Sequence, residues 1–160
     1  MINDLDRQIL TILQKNSRTS NAEIARQIGL APSAVFERIR KLEERGVIQN
    51  YSARIEPHAA GLGLVAFTFV RSNDRPGGIQ TAEKLAEIPE VLEVHHVAGE
   101  DCFLVKVRAA DTEALGRLLR ERLGKIATIA STRTTIVLET VKETSELPIE
   151  AEEEEEAASA

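Results

Sequence analysis

Basic and polar side chains recur in one short stretch of the chain at spacings that would bring them to one side of a helix. They are Ser33, Phe36, Glu37, Arg40 and Lys41, with Arg38 near the edge of the same side. Guanidinium and ammonium groups bind phosphate oxygens and the acceptor edges of bases. The spacing therefore predicts a surface that contacts double-stranded DNA.

An ordinary solvated helix would also carry such residues. In that interpretation the bases, including Arg45, pair with neighbouring carboxylates on Glu37, Glu43 and Glu44. The elements before this helix distinguish the two interpretations. A DNA-reading helix is usually the second helix of a helix-turn-helix, so another short helix and a tight turn should precede it.

Capping signals divide the preceding residues into two helices. Asn3 or Asp4 can cap a first helix over about residues 4–15, and Ser20 with Glu23 predicts a capping box for a second. Gly29 supplies the left-handed stop of that second helix. A short helix, a glycine turn and a longer helix form the helix-turn-helix arrangement.

The third helix is predicted to open at Pro32, whose missing N–H costs nothing in a first turn, and to end at Gly46. Val35, Ile39 and Leu42 fall at helical spacing and form its inner face. The β-forming residues that follow at 47–55 make a wing plausible, and three helices with a β element favour DNA binding.

The second half alternates strands and helices. Strands are predicted at 64–70, 91–97, 103–108 and 129–141, and helices at 79–88 and after the cap Asp111. The order βαββαβ predicts an α+β, ferredoxin-like antiparallel sheet with both helices on one face. The first strand is apolar on both sides, so a partner sheet is the simplest cover and at least a homodimer is expected.

The net charge of −6 is unevenly distributed. Residues 1–60 hold nine bases against seven acids, residues 61–142 hold eleven of each, and residues 143–160 hold eight acids and no base. The acidity therefore lies in the last 18 residues, which we interpret as a disordered tail that aids solubility or competes with a phosphate backbone. No membrane-spanning stretch or signal peptide is apparent, and the single Cys102 suits a reducing cytoplasm.

Motifs for catalysis or cofactors are weak. His95 and His96 are adjacent on a predicted strand and so point to opposite faces, which argues against a shared metal ion. Cys102 has no obvious activator. Gly61 and Gly63 precede a strand and lack the third glycine of a dinucleotide loop. We expect no metal, no cofactor and no enzymatic activity.

Three stretches together resemble the Lrp/AsnC family of feast/famine transcriptional regulators. They are Leu5-Asp6-Arg7-Gln8-Ile9-Leu10, Ile24-Ala25 with Ile28-Gly29-Leu30, and the run from Val35 to Ile48. The resemblance implies a winged helix-turn-helix at 1–50, a β-linker at 51–62 and a βαββαβ module at 63–142, followed by the acidic tail at 143–160. It also implies dimers that assemble into tetramers, octamers or larger rings and bind small effectors, typically amino acids.

The family's turn between the second and third strands is similar to Gly99-Glu100-Asp101-Cys102-Phe103. Two departures are visible. The family often has an aromatic residue where this chain has Asp101 and an aspartate where it has Cys102, and it tends to place Ser or Thr where this chain has Ala31. By resemblance, the effector-binding residues are expected to be Gly99, Glu100, Asp101, Thr132 and Thr134.

Two other functions stay open at this point. Siroheme decarboxylases resemble the same two-module architecture and would need a tetrapyrrole pocket lined by bases and histidines, for which His95 and His96 are the candidates. The second open function is an amino-acid-binding module that does not bind DNA. The basic outer face of the third helix argues against this function.

Overall fold

The computed structural model describes residues 2–75, 77–99 and 101–149. The described chain divides into two compact units, one formed by residues 2–53 with 143–149, and one formed by residues 54–142. In the described ranges no helix is long and apolar enough to cross a membrane.

The first helix, α1 (Asp4–Lys15), begins at a complete capping box. The Asn3 side chain accepts a hydrogen bond from the Asp6 amide at 3.0 Å, and the Asp6 carboxylate accepts one from the Asn3 amide at 3.3 Å. Asn3 is therefore the cap, one of the two residues predicted for it. The sequence did not predict the second hydrogen bond of the capping box, which the Asp6 carboxylate accepts from the Asn3 amide.

Only half of the box predicted for the second helix, α2 (Asn21–Ile28), is formed. The Ser20 hydroxyl accepts a hydrogen bond from the Glu23 amide at 3.2 Å. The Glu23 carboxylate instead accepts hydrogen bonds from Arg26 and Gln27 one turn later. Gly29 ends the helix at φ +71°, which confirms the predicted left-handed stop.

The third helix, α3 (Pro32–Glu44), has Ala31 at its cap without a side-chain hydrogen bond, and Pro32 opens its first turn. Val35 and Leu42 are fully buried against Ile9 and Ile24, and Ile39 packs beside them. The predicted inner face is thus confirmed. Burial of each such aliphatic side chain is worth about 1.5–3 kcal/mol, which fixes α3 on the other two helices.

The wing and the β-linker that the sequence predicts after α3 do not form strands. Residues 45–63 carry no strand in the described chain. A strand needs a neighbour for its backbone hydrogen bonds, and the four described strands, all at residue 64 or later, pair with one another rather than with this segment. β-forming composition alone was therefore insufficient here.

The second unit contains one sheet and two helices in the predicted order. The elements are β1 (Leu64–Ser72), α4 (Gln80–Ala86), β2 (Val91–His96), β3 (Phe103–Ala109), α5 (Thr112–Glu121), a 3-10 turn (Leu123–Lys125) and β4 (Ile129–Ile136). The strand order is β2-β3-β1-β4, with every neighbour antiparallel. The α+β ferredoxin-like prediction is confirmed.

The last strand ends five residues before the predicted Val141. Ala66 pairs with Ile136, and the Val137 amide still donates to the Val65 carbonyl at 2.9 Å. Because β1 begins at Leu64, the chain beyond Val137 has little strand left to pair with. The predicted end at Val141 was wrong because apolar residues continue along the sequence beyond Val137, where β1 no longer offers a strand to pair with.

Both helices pack on one face of the sheet. The core is formed by alternate residues of the two central strands with apolar residues of α4 and α5: Ala66, Val70, Phe103, Val105, Val107, Leu85, Leu115 and Leu118. The opposite face of β1 carries Phe67 and Phe69, which stay only partly buried.

Candidate DNA-binding and effector sites

The outer side of α3 presents the predicted residues to solvent. Ser33, Phe36, Glu37, Arg40 and Lys41 are all exposed, as the helical period requires when Val35 and Leu42 point inward. A helix with this exposed face can enter a major groove.

Ion pairs within the helix engage part of this face. Arg40 donates to the Glu37 carboxylate at 2.8 Å and also pairs with Glu44. The hydrogen bond from Arg40 lowers the pKa of Glu37, and the same bond raises the pKa of Arg40. Water and salt screen such exposed pairs, so a phosphate can replace Glu37 or Glu44 as the partner of Arg40.

Arg38 lies differently from its neighbours. Its guanidinium donates to the Asp6 carboxylate at 2.9 Å and lies 3.4 Å from the Asn3 side-chain oxygen. Asp6 is buried, so this pair joins α3 to the capping box of α1. Arg38 therefore contacts α1 as well as lying at the edge of the exposed side of α3.

A cavity of about 320 Å³ lies beside α3, and the sequence did not predict it. Phe36, Arg40 and Glu43 of α3 line it together with Tyr51 from the segment that follows. The Tyr51 hydroxyl donates to the Glu43 carboxylate at 2.8 Å, and burial, followed by that carboxylate, raises the pKa of Tyr51 to about 12. Phe36 lines the same cavity and is 53% exposed.

In the second unit, Asp101 is already paired. Its carboxylate accepts a hydrogen bond from the Arg133 guanidinium at 3.0 Å. The same guanidinium lies 4.2 Å from the centre of the Phe69 ring, on the sheet face away from the helices. Arg133 was not among the predicted site residues, although it lies between the two threonines that were.

The predicted threonines have other neighbours. The Thr134 hydroxyl is hydrogen-bonded to the buried Thr68 hydroxyl at 2.9 Å, on the helix side of the sheet, and Thr132 is exposed. Gly99 is exposed in the turn at φ +141°, and Glu100 lies outside the described residues. Across the described ranges, no hydrogen bond or ion pair joins Asp101 to either threonine.

The shift of the carboxylate from position 102 to position 101 has a structural consequence. Cys102 is held at the end of β1, where its amide donates to the Val70 carbonyl at 3.0 Å and its sulfur accepts from the Ser72 amide at 3.5 Å. Asp101 instead pairs with Arg133. An aspartate at position 102 would place its carboxylate next to Ser72 rather than next to Arg133.

The adjacent His95 and His96 have separate partners. His95 lies 3.2 Å from the Glu93 carboxylate, whereas the ring of His96 packs on Phe103 with the ring centres 5.1 Å apart. Within the part of the chain that the structure describes, no group of His, Cys, Asp and Glu is arranged to hold a metal ion.

A helix-turn-helix whose third helix exposes Arg40 and Lys41, followed by a separate α+β module, is the architecture of a DNA-binding regulator with an effector domain. The family model for winged helix-turn-helix DNA-binding matches residues 2–49, and that for the Lrp/AsnC ligand binding domain matches residues 65–147. The chain belongs to the Lrp/AsnC family.

Relatives match nearly the whole chain. The transcriptional regulator FL11 of Pyrococcus horikoshii is 39% identical over 92% of this chain and 97% of its own length. The feast or famine regulatory protein of M. tuberculosis, solved with L-methionine, is 36% identical with a TM-score of 0.84, covering 92% and 99%. A Neisseria meningitidis regulator, also solved with L-methionine, is 28% identical with a TM-score of 0.86, covering 92% and 97%.

Proposed function

We propose that the outer face of α3 is the DNA-reading surface of this regulator and that an amino acid bound to the second unit modulates DNA binding. The observation that carries the first part is the exposure of Ser33, Phe36, Glu37, Arg40 and Lys41 on one side of α3. Arg38 acts at the edge of that surface and positions the helix through Asp6.

The decisive experiment is a mobility shift with the chain's own promoter region. Retention of that fragment, together with weaker retention of a scrambled duplex, supports a sequence-specific regulator. Equal and weak retention of both would leave only an effector-binding module. The salt concentration is held constant, because phosphate contacts make affinity steeply salt-dependent.

An amino acid is the proposed effector because two structurally similar regulators were solved with L-methionine. Gly99, Glu100, Asp101, Thr132 and Thr134 are its proposed ligands. Asp101 or Glu100 would accept hydrogen bonds from the ammonium, while the Gly99 amide and a threonine hydroxyl would donate to the carboxylate. The pairing of Asp101 with Arg133 adds a guanidinium that a carboxylate could take over.

A thermal-shift screen of the twenty amino acids tests this proposal, because a ligand that binds only the folded protein raises the midpoint by mass action. Asp101→Ala should reduce the shift produced by the best ligand. The matched control is Glu121→Ala, since Glu121 is an exposed carboxylate at the end of α5 rather than on the sheet. Loss of the shift in the control alone would place the ligand elsewhere.

We further propose that the chain assembles as a homodimer and then as tetramers, octamers or larger rings. Phe67 and Phe69 lie on the sheet face that α4 and α5 do not cover, and a second sheet would complete their burial. Light scattering should give at least twice the 17.6 kDa chain mass. A monomer at micromolar concentration would contradict this.

No catalytic role is proposed, because the relatives named above are transcriptional regulators. The relatives named above come from bacteria and an archaeon. DNA in such cells lies in the cytoplasm, where we place this regulator. A protein purified with a bound tetrapyrrole chromophore would reopen the enzymatic alternative.

A further inference from the structure

One side of α3 contributes most of the surface of the cavity described above. Phe36, Ile39, Arg40 and Glu43 line it and recur at intervals of three and four residues, so their side chains share one side of the helix. The first two are apolar, and the next two carry opposite charges. This side of α3 therefore changes along the cavity from an apolar half to a half with one positive and one negative group.

The remaining surface comes from other parts of the same unit. Leu13 of α1 is buried and adds apolar surface, Asn21 at the start of α2 adds an amide, and Tyr51 adds an aromatic ring. All of these residues belong to the first unit, so the cavity lies within that unit. The cavity combines apolar walls with a few polar groups, as small-molecule sites do.

The charges of the cavity define the kind of ligand that fits it. Among the described residues that line it, Arg40 and Glu43 are the charged ones. They stand three positions apart on α3, which places their Cβ atoms roughly 5–6 Å from each other. An anion alone would be repelled by Glu43, and a cation alone would be repelled by Arg40. A zwitterion can pair with both.

Both charged groups can take a ligand as a partner. The Tyr51 hydroxyl donates to Oε1 of Glu43 at 2.8 Å, which holds this carboxylate beside the ring. Arg40 pairs with Glu37 and Glu44, but all three side chains are about half exposed, so water competes for these pairs. A ligand carboxylate can therefore replace either glutamate as the partner of Arg40.

We propose that this cavity binds an amino acid with an apolar side chain, at a site separate from the effector-binding residues of the second unit. The Arg40 guanidinium donates hydrogen bonds to the ligand carboxylate, and Glu43 accepts them from its ammonium. The apolar side chain packs on Leu13, Phe36 and Ile39. A volume of about 320 Å³ falls in the range of small-molecule sites, roughly 300–1,000 Å³.

Binding here would regulate the protein directly, and this consequence rests on the proposed DNA-reading role of α3. Phe36 and Arg40 belong both to the cavity and to the proposed DNA-reading surface. A ligand that pairs with Arg40 withdraws this guanidinium from a DNA phosphate. The amino acid and DNA therefore compete, and the apparent DNA affinity falls by the factor one plus the ratio of ligand concentration to ligand Kd.

Tyr51 reports on the cavity selectively. It is the only tyrosine and the chain has no tryptophan, so tyrosine fluorescence arises beside the cavity alone. The full chain without DNA is titrated with L-leucine, L-methionine and L-phenylalanine. Phe36 and Tyr51 are about half exposed, so we expect weaker affinity than at the second unit. The titrations therefore extend to higher concentrations than the thermal-shift screen.

At least one of the three amino acids should change the emission with saturation. Analogues of the best ligand that lack its ammonium or its carboxylate should bind about tenfold more weakly or less, because each loses a charge-assisted hydrogen bond. For leucine these analogues are 4-methylpentanoate and 3-methylbutylamine. No change with any amino acid, or equal binding of an analogue, would overturn the proposal.

Two variants of α3 separate a specific contact from an effect of net charge. Glu43→Gln should weaken the ligand about tenfold, although its amide oxygen can still accept a hydrogen bond from Tyr51. Glu44→Gln makes the same change in charge at a residue that does not line the cavity, and it removes a competing partner of Arg40. The ligand should bind this control equally or more tightly. Equal weakening in both variants would overturn the proposal.

Asp101→Ala separates the cavity from the proposed site in the second unit. The response of Tyr51 should persist in this variant, and its loss would show that the signal originates at the second unit, which would overturn the proposal. In the same variant, the best ligand at ten times its Kd should weaken DNA binding about tenfold. Unchanged DNA affinity would overturn the competition. Absence of DNA binding without ligand would instead refute the DNA-binding function, while the fluorescence titrations still decide whether the cavity binds.

Discussion

The proposed DNA-reading residues and the proposed effector-binding residues are assembled in different ways. The former lie within one helix, between Ser33 and Lys41, and the latter come from a turn near Gly99 and a strand near Thr134. The helical set shares one exposed side as expected. In the second set, Asp101 pairs with Arg133 and Thr134 with Thr68. A site built within one element is predictable from spacing, whereas a site built across strands depends on register.

The two regions also differ in how their charges are compensated. Arg40 pairs with exposed carboxylates one turn away, and water competes for such pairs. The Asp101 side chain is only 26% exposed, and its partner Arg133, although 65% exposed, also lies over the Phe69 ring. We therefore expect a DNA phosphate to displace the partners of Arg40 readily. An effector at the turn must instead displace or join the Asp101–Arg133 pair, which the Phe69 ring also holds in place.

The largest expected effect concerns the helical site. Replacing Arg40 and Lys41 together with Ala should weaken operator binding roughly tenfold or more, because both cations are proposed to contact the DNA. The slope of log affinity against log salt should become shallower by up to about 0.9 for each lost phosphate contact. Titrations at three salt concentrations measure both quantities, with Lys84→Ala, an exposed residue of α4, as the control. An unchanged slope would exclude both residues as phosphate contacts.

The next effect concerns the pair that fixes the recognition helix. Arg38→Ala leaves the buried Asp6 carboxylate without its guanidinium partner, and should destabilise the helical unit by about 1–2 kcal/mol. This is less than the roughly 3–5 kcal/mol of fully buried pairs, because the Arg38 side chain is 31% exposed.

Urea denaturation monitored at 222 nm measures this cost. The double variant Arg38→Ala, Asp6→Asn completes a cycle that isolates the pair from the other contacts of either residue. A coupling free energy near zero would mean that Arg38 is free to contact DNA.

On the sheet, Thr134→Val should cost about 1 kcal/mol, because the buried Thr68 hydroxyl loses its partner. If Thr134 serves mainly that structural pair, the thermal shift produced by the best amino acid should persist in Thr134→Val and disappear in Asp101→Ala. Loss of the shift in both variants would instead support a site that includes the threonine hydroxyl. Differential scanning fluorimetry reads both the stability and the shift.

The smallest expected effect is spectroscopic. Tyr51 is the only tyrosine and the chain has no tryptophan, so absorbance near 295 nm reports its ionisation alone. The pKa should lie at about 12, because burial and then the Glu43 carboxylate disfavour the phenolate. Glu43→Gln should bring the midpoint closer to the ordinary value of about 10.

The sign of this effect on stability follows from the raised pKa. The protonated phenol contributes its stabilisation fully below the unfolded pKa near 10, and this contribution is lost as the pH rises towards about 12. A rapid pH jump records the absorbance before unfolding. A midpoint near 10 in the unmodified chain would show that Tyr51 does not contact Glu43 in solution.

Local signals in the sequence determined much of the architecture. Asn3, Ser20 and Gly29 set helix ends because each satisfies backbone groups within a few residues of itself, and Val35 with Leu42 set the inner face of α3 by period alone. The order of strands and helices in the second unit also followed from local patterns. The sequence also shows that a carboxylate stands at position 101 rather than at position 102, although it does not show that Arg133 is the partner of that carboxylate.

Tertiary structure decided every feature that needed a partner from elsewhere in the chain. The predicted wing after α3 found no strand beside it, and β4 ended where β1 ran out. Arg38 bonded Asp6, Arg133 bonded Asp101, and Leu147 bonded Gln14, each across 32 to 133 positions. Hydrogen bonds and ion pairs act only over a few ångströms, so periodicity identifies which side a residue faces, and only the folded chain determines what lies opposite it.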